Sequence, residues 1–336
     1  MARPRLLVLA GRALFDSFFN LSRQRRLSRL YEWRRLPDRT ATPRVRAAVR
    51  EAEALVTTWD SPHLGLEILD LAKHLRTIAH CGGEVKGRFA RPLFSRLTIT
   101  NAPGPMAPHV AELAVAFTLH AVRRIDEYRE ALRRPSNRIY ELMHLHGGGD
   151  ETLLGRTVGL VGLGRVGQAV AERLAPFGVR LLVHDPFASR AQVGRSGGKA
   201  AKLEPLLRAS SVVILAAALT DATRGMLDAR RLSLLPDGAL VVNVARGGLL
   251  DLGALTGEVR RGRLRAALDV TDPEEPLPPR HPLRRMRGAV VTPHVGAAAR
   301  AVRQAMADLV LDDLARVSRG ERPRNRVTPR MLDRMT

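Results

Sequence analysis

Thr157-Val-Gly-Leu-Val-Gly-Leu-Gly-Arg-Val-Gly-Gln168 places Gly162, Gly164 and Gly167 between an apolar run with β-branched residues and a segment of helical period. That spacing is the glycine pattern of a dinucleotide-binding turn. The first glycine allows a tight reversal, the second lets the main chain approach a pyrophosphate, and the third lets the helix pack close to the strand. Phosphates would sit at the helix N-terminus, where unpaired N–H groups and the helix dipole favour anions. Val166, Ala169, Val170, Arg173, Leu174 and Phe177 continue with helical spacing. A second apolar run, Val179-Arg-Leu-Leu-Val-His-Asp185, ends in a carboxylate 23 residues after Gly162. An acid about 20 residues on is where the adenine ribose is gripped. Asp185 would accept hydrogen bonds from the ribose hydroxyls and repel a 2′-phosphate, which selects NAD over NADP; its other reading is a turn residue ahead of Pro186.

The 336-residue length suggests about two domains, and 45% hydrophobic residues suit a globular protein. No apolar run approaches the roughly 18 residues that a membrane span needs. The segment 6–10 is too short for a signal-peptide core and reads as a first strand, so a cytoplasmic protein without a membrane partner is expected. Cys81 is the single cysteine, which excludes an internal disulfide framework and makes a thiolate metal site a poor reading. It sits where a strand end runs into glycines, so a buried packing role is favoured over a nucleophile. The net charge of +22 comes almost wholly from arginine, the only lysines being Lys73, Lys86, Lys199 and Lys202. Such a balance raises nucleic-acid binding, and Arg23, Arg25, Arg26, Arg29, Arg34 and Arg35 form a dense early stretch. Aromatic residues are only 4% of the chain and no nucleic-acid-binding motif accompanies the arginines. A solvated basic surface that draws in small anions is therefore expected, and nucleic acid is not the expected partner.

Apolar runs at 6–10, 54–57, 77–79 and 97–100 alternate with segments of helical period, an α/β pattern. The Pro- and Gly-rich 101–108 is expected outside any helix interior, and a long helix is predicted over 109–124, with Val110, Leu113, Ala114 and Phe117 on one face. Residues 133–150 are polar, end in Gly147-Gly-Gly149, and read as a linker or surface loop. Further strands are predicted at 212–216, 239–244, 266–270 and 289–291, each ending just before a candidate functional residue. In a doubly wound sheet, ligands bind beyond the carboxyl ends of the strands. A helix over 299–314 and an irregular, arginine-rich surface tail after Gly320 complete the reading.

Three blocks at strand ends carry the chemistry: Val242-Asn-Val-Ala-Arg-Gly-Gly248, Ala267-Leu-Asp-Val-Thr-Asp-Pro-Glu-Glu-Pro-Leu-Pro278 and Val291-Thr-Pro-His-Val-Gly296. Arg246 offers a planar fork for a carboxylate and a carbonyl oxygen. His294 can give that oxygen a proton while hydride arrives, with a nearby carboxylate stabilising the imidazolium. Such a set suits reduction of a 2-keto acid.

Those three blocks in order, together with the glycine turn, resemble the D-isomer-specific 2-hydroxyacid dehydrogenase family over nearly the whole chain. The resemblance implies a Rossmann NAD-binding domain over 111–298 and a discontinuous flavodoxin-like substrate domain over 1–110 and 299–336. It implies NAD as cofactor, contacted by Gly162, Gly164, Arg165, Val166, Gly167, Asp185, Thr223, Val244, Asp269 and Gly296, with Asp269 on the nicotinamide carboxamide. It implies a small anionic 2-hydroxy or 2-keto acid as substrate, bound by Arg246 and by backbone N–H groups of Gly82 and Gly83, and a homodimer. His294 is then the acid/base and a glutamate its partner. Counting five residues from Asp269 gives Glu274, which is preferred, whereas adjacency to the proline gives Glu275. Leu215-Ala-Ala-Ala-Leu-Thr220 departs from the family by lacking a histidine and a proline, and the loop at Gly82 differs as well. An NAD-sensing binding protein or corepressor on the same fold is the alternative.

Overall fold

The computed structural model describes residues 3–133, 135–145 and 151–335. The chain forms two compact units, one of Met1–Met106 with Ala297–Thr336 and one of Ala107–Gly296.

The first unit carries five parallel strands, β1 (Arg5–Leu9), β2 (Glu32–Leu36), β3 (Ala54–Thr57), β4 (Thr77–His80) and β5 (Thr98–Asn101). Their order is β2-β1-β3-β4-β5, the flavodoxin-like arrangement. Leu7, Leu55, Ile78 and Ile99 pair in one row across four strands, each at most 1% exposed. Burial on both faces is why these strands read as unbroken apolar runs. The edge strand β2 was not expected: only its last residue, Leu36, is buried, so its sequence carries no apolar run. Most of the arginine stretch around it is occupied within the unit. Arg23 pairs with Asp308 at 2.6 Å, Arg26 with Asp312, and Arg34 with Glu51 at 3.0 Å. Arg35 donates to the Ala10 carbonyl at 2.9 Å.

The tail departs from expectation. Val327 and Leu332 are buried in the core of this unit, and Val327 N–H donates to Ile99 O at 2.8 Å, so the tail is a structural strap. Asp313, 2% exposed, fixes its entry by accepting from the N–H groups of Arg324 and Asn325.

The second unit holds seven parallel strands, β6 (Thr157–Val161), β7 (Arg180–His184), β8 (Lys199–Ala200), β9 (Val212–Leu215), β10 (Leu240–Asn243), β11 (Arg265–Leu268) and β12 (Ala289–Val291). They lie in the order β12-β11-β10-β9-β6-β7-β8, a Rossmann sheet whose direction of winding reverses between β6 and β9. The switch point sets the Gly162 turn, after β6, against Ala217, beyond β9. The helix predicted to follow Pro108 instead starts at Met106, with Pro108 in its first turn. First-turn N–H groups have no intrahelical partner, so proline costs little there. Part of the expected linker is helical, at Arg138–Tyr140 and Glu141–Leu145, and Gly147-Gly-Gly149 lies outside the described residues. Among the described residues no helix is long and apolar enough to cross a membrane.

Candidate active site

At the end of β6 the backbone turns at Gly162 with φ +96°, and a Cβ there would lie 2.6 Å from Ala217 Cα. A Cβ on Gly167 would lie 2.1 Å from the Gly162 carbonyl oxygen, so the helix Arg165–Leu174 can reach the strand only with glycine at that position. Gly164 is different: nothing of the protein lies within 4 Å of its would-be Cβ. Its N–H has no acceptor among the described residues, and that open, donor-lined bend at a helix N-terminus fits a pyrophosphate. Arg165 is exposed and Val166 half-buried at the start of that helix.

Asp185 follows β7 and holds this turn from the side. Its Oδ2 accepts from Leu163 N–H at 2.7 Å and its Oδ1 from Phe187 N–H at 2.8 Å. The turn-forming reading of Asp185 is therefore realised, and the same bonds fix a negative charge at the mouth of the glycine bend. Thr223 spends its hydroxyl on its own loop, accepting from Thr220 N–H at 2.8 Å and donating to Ala218 O at 2.7 Å.

At the end of β10, the buried Asn243 clamps the next loop: its Nδ2 donates to Arg246 O at 2.9 Å and its Oδ1 accepts from Ala245 N–H at 3.1 Å. Sequence reasoning passed over Asn243, although it opens the Asn-Val-Ala-Arg block. Val244 is buried, and the half-buried Arg246 donates through Nη1 to Ala245 O at 2.7 Å. Gly247 lets this loop touch the one beyond β11, since its Cβ would lie 2.1 Å from the Thr271 carbonyl carbon.

Asp269, 2% exposed, organises the histidine loop. Its Oδ1 accepts from Thr292 Oγ1 and from Val295 N–H at 2.8 Å, its Oδ2 from Gly296 N–H at 2.9 Å, and its carbonyl from His294 N–H at 2.9 Å. The carboxylate thus ties the histidine loop to the end of β11. His294 itself adopts φ +55°, a left-handed conformation uncommon for a side-chain-bearing residue. Such backbone persists where the surroundings over-determine it, as those four bonds do here.

His294 Nδ1 meets Glu275 Oε1 at 2.5 Å. The partner is therefore Glu275, and the expectation of Glu274 is corrected. Thr271 decides it: its Oγ1 donates to the Glu274 carbonyl at 2.6 Å and its N–H to Glu275 Oε2 at 3.3 Å. That turn carries the Glu275 carboxylate to the imidazole while both glutamates stay largely exposed, which a count along an extended chain does not capture. Burial acts to raise the Glu275 carboxyl, but the hydrogen bond and charge of His294, the Thr271 N–H and the charge of Arg246 outweigh it and hold the group below the usual carboxylate range. With Glu275 ionised, Nδ1 must carry the hydrogen. The outer nitrogen, Nε2, is then the one whose lone pair the Glu275 contact does not use.

In the other unit, β4 runs into Cys81, Gly82 and Gly83. The N–H groups of Gly82 and Gly83 find no acceptor among the described residues, although Gly82 is buried. Orphaned buried N–H groups are rare and call for an external acceptor. The loop is held from its carbonyl side, with Ala102 N–H on Gly82 O at 2.8 Å and Asn101 Nδ2 on Gly83 O at 2.7 Å. A Cβ on Gly82 would strike His80 Nε2 at 2.2 Å. His80 is fully buried with Nδ1 on Thr57 Oγ1 at 2.9 Å, and burial, aided by the charge of Arg88, lowers its pKa to about 3, so it stays neutral. Cys81 is buried too, and burial pushes its thiol up, which makes it inert.

Residues 115–296 match the family model described as the NAD-binding domain of D-isomer specific 2-hydroxyacid dehydrogenases. The chain belongs to this family. It is 34% identical over 287 residues to a glyoxylate reductase of Aeropyrum pernix, covering 83% of each chain. It is 36% identical over 267 residues to a D-3-phosphoglycerate dehydrogenase of Mycobacterium leprae, covering 78% of this chain but only 48% of that one. A Thermus thermophilus protein of known crystal structure superposes with a TM-score of 0.76 at 34% identity, covering 96% of this chain and all of that one. As a family member the chain is an oxidoreductase that uses a nicotinamide dinucleotide, and relatives named as reductases and dehydrogenases do not favour the sensor or corepressor alternative.

Proposed function

We propose that the chain interconverts a D-2-hydroxy acid and a 2-keto acid by hydride transfer, with NAD in preference to NADP. The observation that carries this reading is the His294–Glu275 pair at 2.5 Å, held on a loop fixed by Asp269. Bound as NADH, the dinucleotide would supply the hydride for reduction; bound as NAD⁺, it would accept hydride in oxidation. The open bend at Gly162, Gly164 and Gly167, with Arg165 and Val166 opening the helix, takes the pyrophosphate. Asp185 takes the ribose hydroxyls, and its fixed charge repels a 2′-phosphate. Thr223, Val244 and Gly296 complete the cofactor's surroundings. The Gly82 and Gly83 N–H groups hold the substrate carboxylate, and the Arg246 fork orients the substrate and polarises its carbonyl. His294 Nε2 gives a proton to the carbonyl oxygen in reduction and removes it from the hydroxyl in oxidation, while Glu275 compensates the imidazolium charge.

This assignment treats Met1–Met106 with Ala297–Thr336 as the substrate domain and Ala107–Gly296 as the NAD domain. A homodimer acting in the cytoplasm on a small anionic acid is part of the same reading; a single buried cysteine suits a reducing compartment. Following nicotinamide absorbance with NADH and NADPH against a panel of 2-keto acids tests it. Turnover with NADH and weaker turnover with NADPH are expected. Silence across small, branched, aromatic and phosphorylated keto acids overturns it.

A further inference from the structure

Two side chains beside the Gly82 loop carry polar hydrogens that their own unit does not satisfy. Trp59 Nε1 lies 3.0 Å from the place a Cβ on Gly82 would occupy, and its N–H has no acceptor among the described residues. The indole is held in place: Phe18 packs against it with ring centroids 5.2 Å apart, and Arg88 Nη2 donates to the Trp59 carbonyl at 2.7 Å. Arg303, from the helix Arg300–Ser318, lays its guanidinium over the same indole, 5.4 Å from the ring centroid.

Arg303 donates through Nη1 to Ser17 Oγ at 3.1 Å, while its Nε is buried with no partner. No carboxylate pairs with it among the described residues. Arg23 and Arg26, by contrast, are met by Asp308 and Asp312 of the same helix. The nearest acid in sequence to Trp59, Asp60, is engaged with Gly11 N–H at 2.9 Å and Thr58 Oγ1 at 2.6 Å. A half-buried guanidinium stacked on an aromatic ring, with a desolvated and unmet N–H, gains most from an oxygen anion.

Resting on the reduction of 2-keto acids proposed above, we infer that Trp59 and Arg303 form the subsite for the far end of the substrate, and that this end is a second carboxylate. The carboxylate beside the keto group occupies the Gly82–Gly83 N–H cradle, and the distal one takes the indole N–H and the guanidinium. The preferred substrate is then a 2-keto dicarboxylic acid, in place of a two-carbon or aliphatic one.

The full-length protein is assayed with NADH on oxaloacetate and on 2-ketobutyrate, which matches it in length but ends in a methyl group. The wild type should favour oxaloacetate in kcat/KM by at least about tenfold, and Arg303→Met should remove that preference chiefly through KM. Trp59→Phe, which keeps the stacking and deletes the N–H, should erode it by a smaller factor. Arg303→Lys serves if Arg303→Met does not fold, and should also lower the ratio, because a point charge does not replace the fork. Wild-type preference for 2-ketobutyrate, or a ratio unmoved by these variants, overturns the inference. If no 2-keto acid turns over, yet calorimetry shows oxaloacetate binding to the wild type and not to Arg303→Met, the proposed reaction falls and the subsite stands.

Discussion

At the scale of single residues, chemistry rests on which of two adjacent glutamates reaches His294. Glu275 makes the contact at 2.5 Å, while Glu274 lends only its carbonyl to Thr271. Replacing Glu275 by Gln removes the charge that compensates the imidazolium formed or consumed in each turnover and keeps the shape. Steady-state kinetics should show kcat falling by about 10²-fold with NADH affinity intact, the scale of a lost acid–base partnership. Glu274→Gln should stay within about twofold of wild type, as expected for an exposed side chain with no role in the site. Equal losses in the two variants would show that the pair is not the proton-handling unit. His294 adds a second residue-scale point: its φ of +55° is sustained by Asp269, which binds the His294 N–H through its carbonyl and the Val295 and Gly296 N–H groups through its carboxylate. Asp269 thus sets where the imidazole stands.

At the scale of elements, the site is built where the loops after β10, β11 and β12 meet, and Gly247 is the contact that lets the first two touch. An alanine Cβ there would lie 2.1 Å from the Thr271 carbonyl carbon and 2.5 Å from Asp272 N. Backbone would have to move, and the backbone in question carries Glu275. Gly247→Ala should lower kcat by at least about tenfold and cost roughly 1–3 kcal/mol of stability, the usual range for overpacking; kinetics and urea unfolding check both. Wild-type activity in that variant would mean that the two loops are not coupled. Elements buried on both faces were legible in the sequence, because parallel central strands such as Ala54–Thr57 are continuous apolar runs. The edge strand Glu32–Leu36 was not, since it exposes its glutamate and Arg34 and buries only Leu36. Nor was the tail, whose packing rests on Val327 and Leu332, apolar residues isolated among arginines and prolines. The candidate site divides in the same way. Arg246 and His294 announce themselves at strand ends, whereas Glu275 and Asn243 owe their places to turns and packing that no periodicity records.

At the scale of the whole molecule, the two units differ in how the chain closes them. Ala107–Gly296 is one continuous segment with its own seven-stranded sheet and its own apolar core. Met1–Met106 is not self-sufficient: its core includes Val327 and Leu332, Tyr31 Oη donates to Leu314 O at 3.2 Å, and Arg23 pairs with Asp308 at 2.6 Å. Removing 297–336 would leave an apolar face uncovered and an arginine without its acid. Expressed alone, 107–296 should therefore unfold cooperatively and bind NADH within about tenfold of the full chain's affinity, because the bend, Asp185 and the strand ends are all retained. It should reduce no 2-keto acid, since the Gly82–Gly83 cradle is absent. Expressed alone, 1–106 should lack a cooperative transition, and supplying 297–336 through a linker should restore one. Circular dichroism melts and NADH fluorescence titration read both outcomes. A 107–296 segment that folds yet ignores NADH would move the dinucleotide site away from the glycine bend, and a 1–106 segment that folds unaided would remove the structural role given to the C-terminal strap.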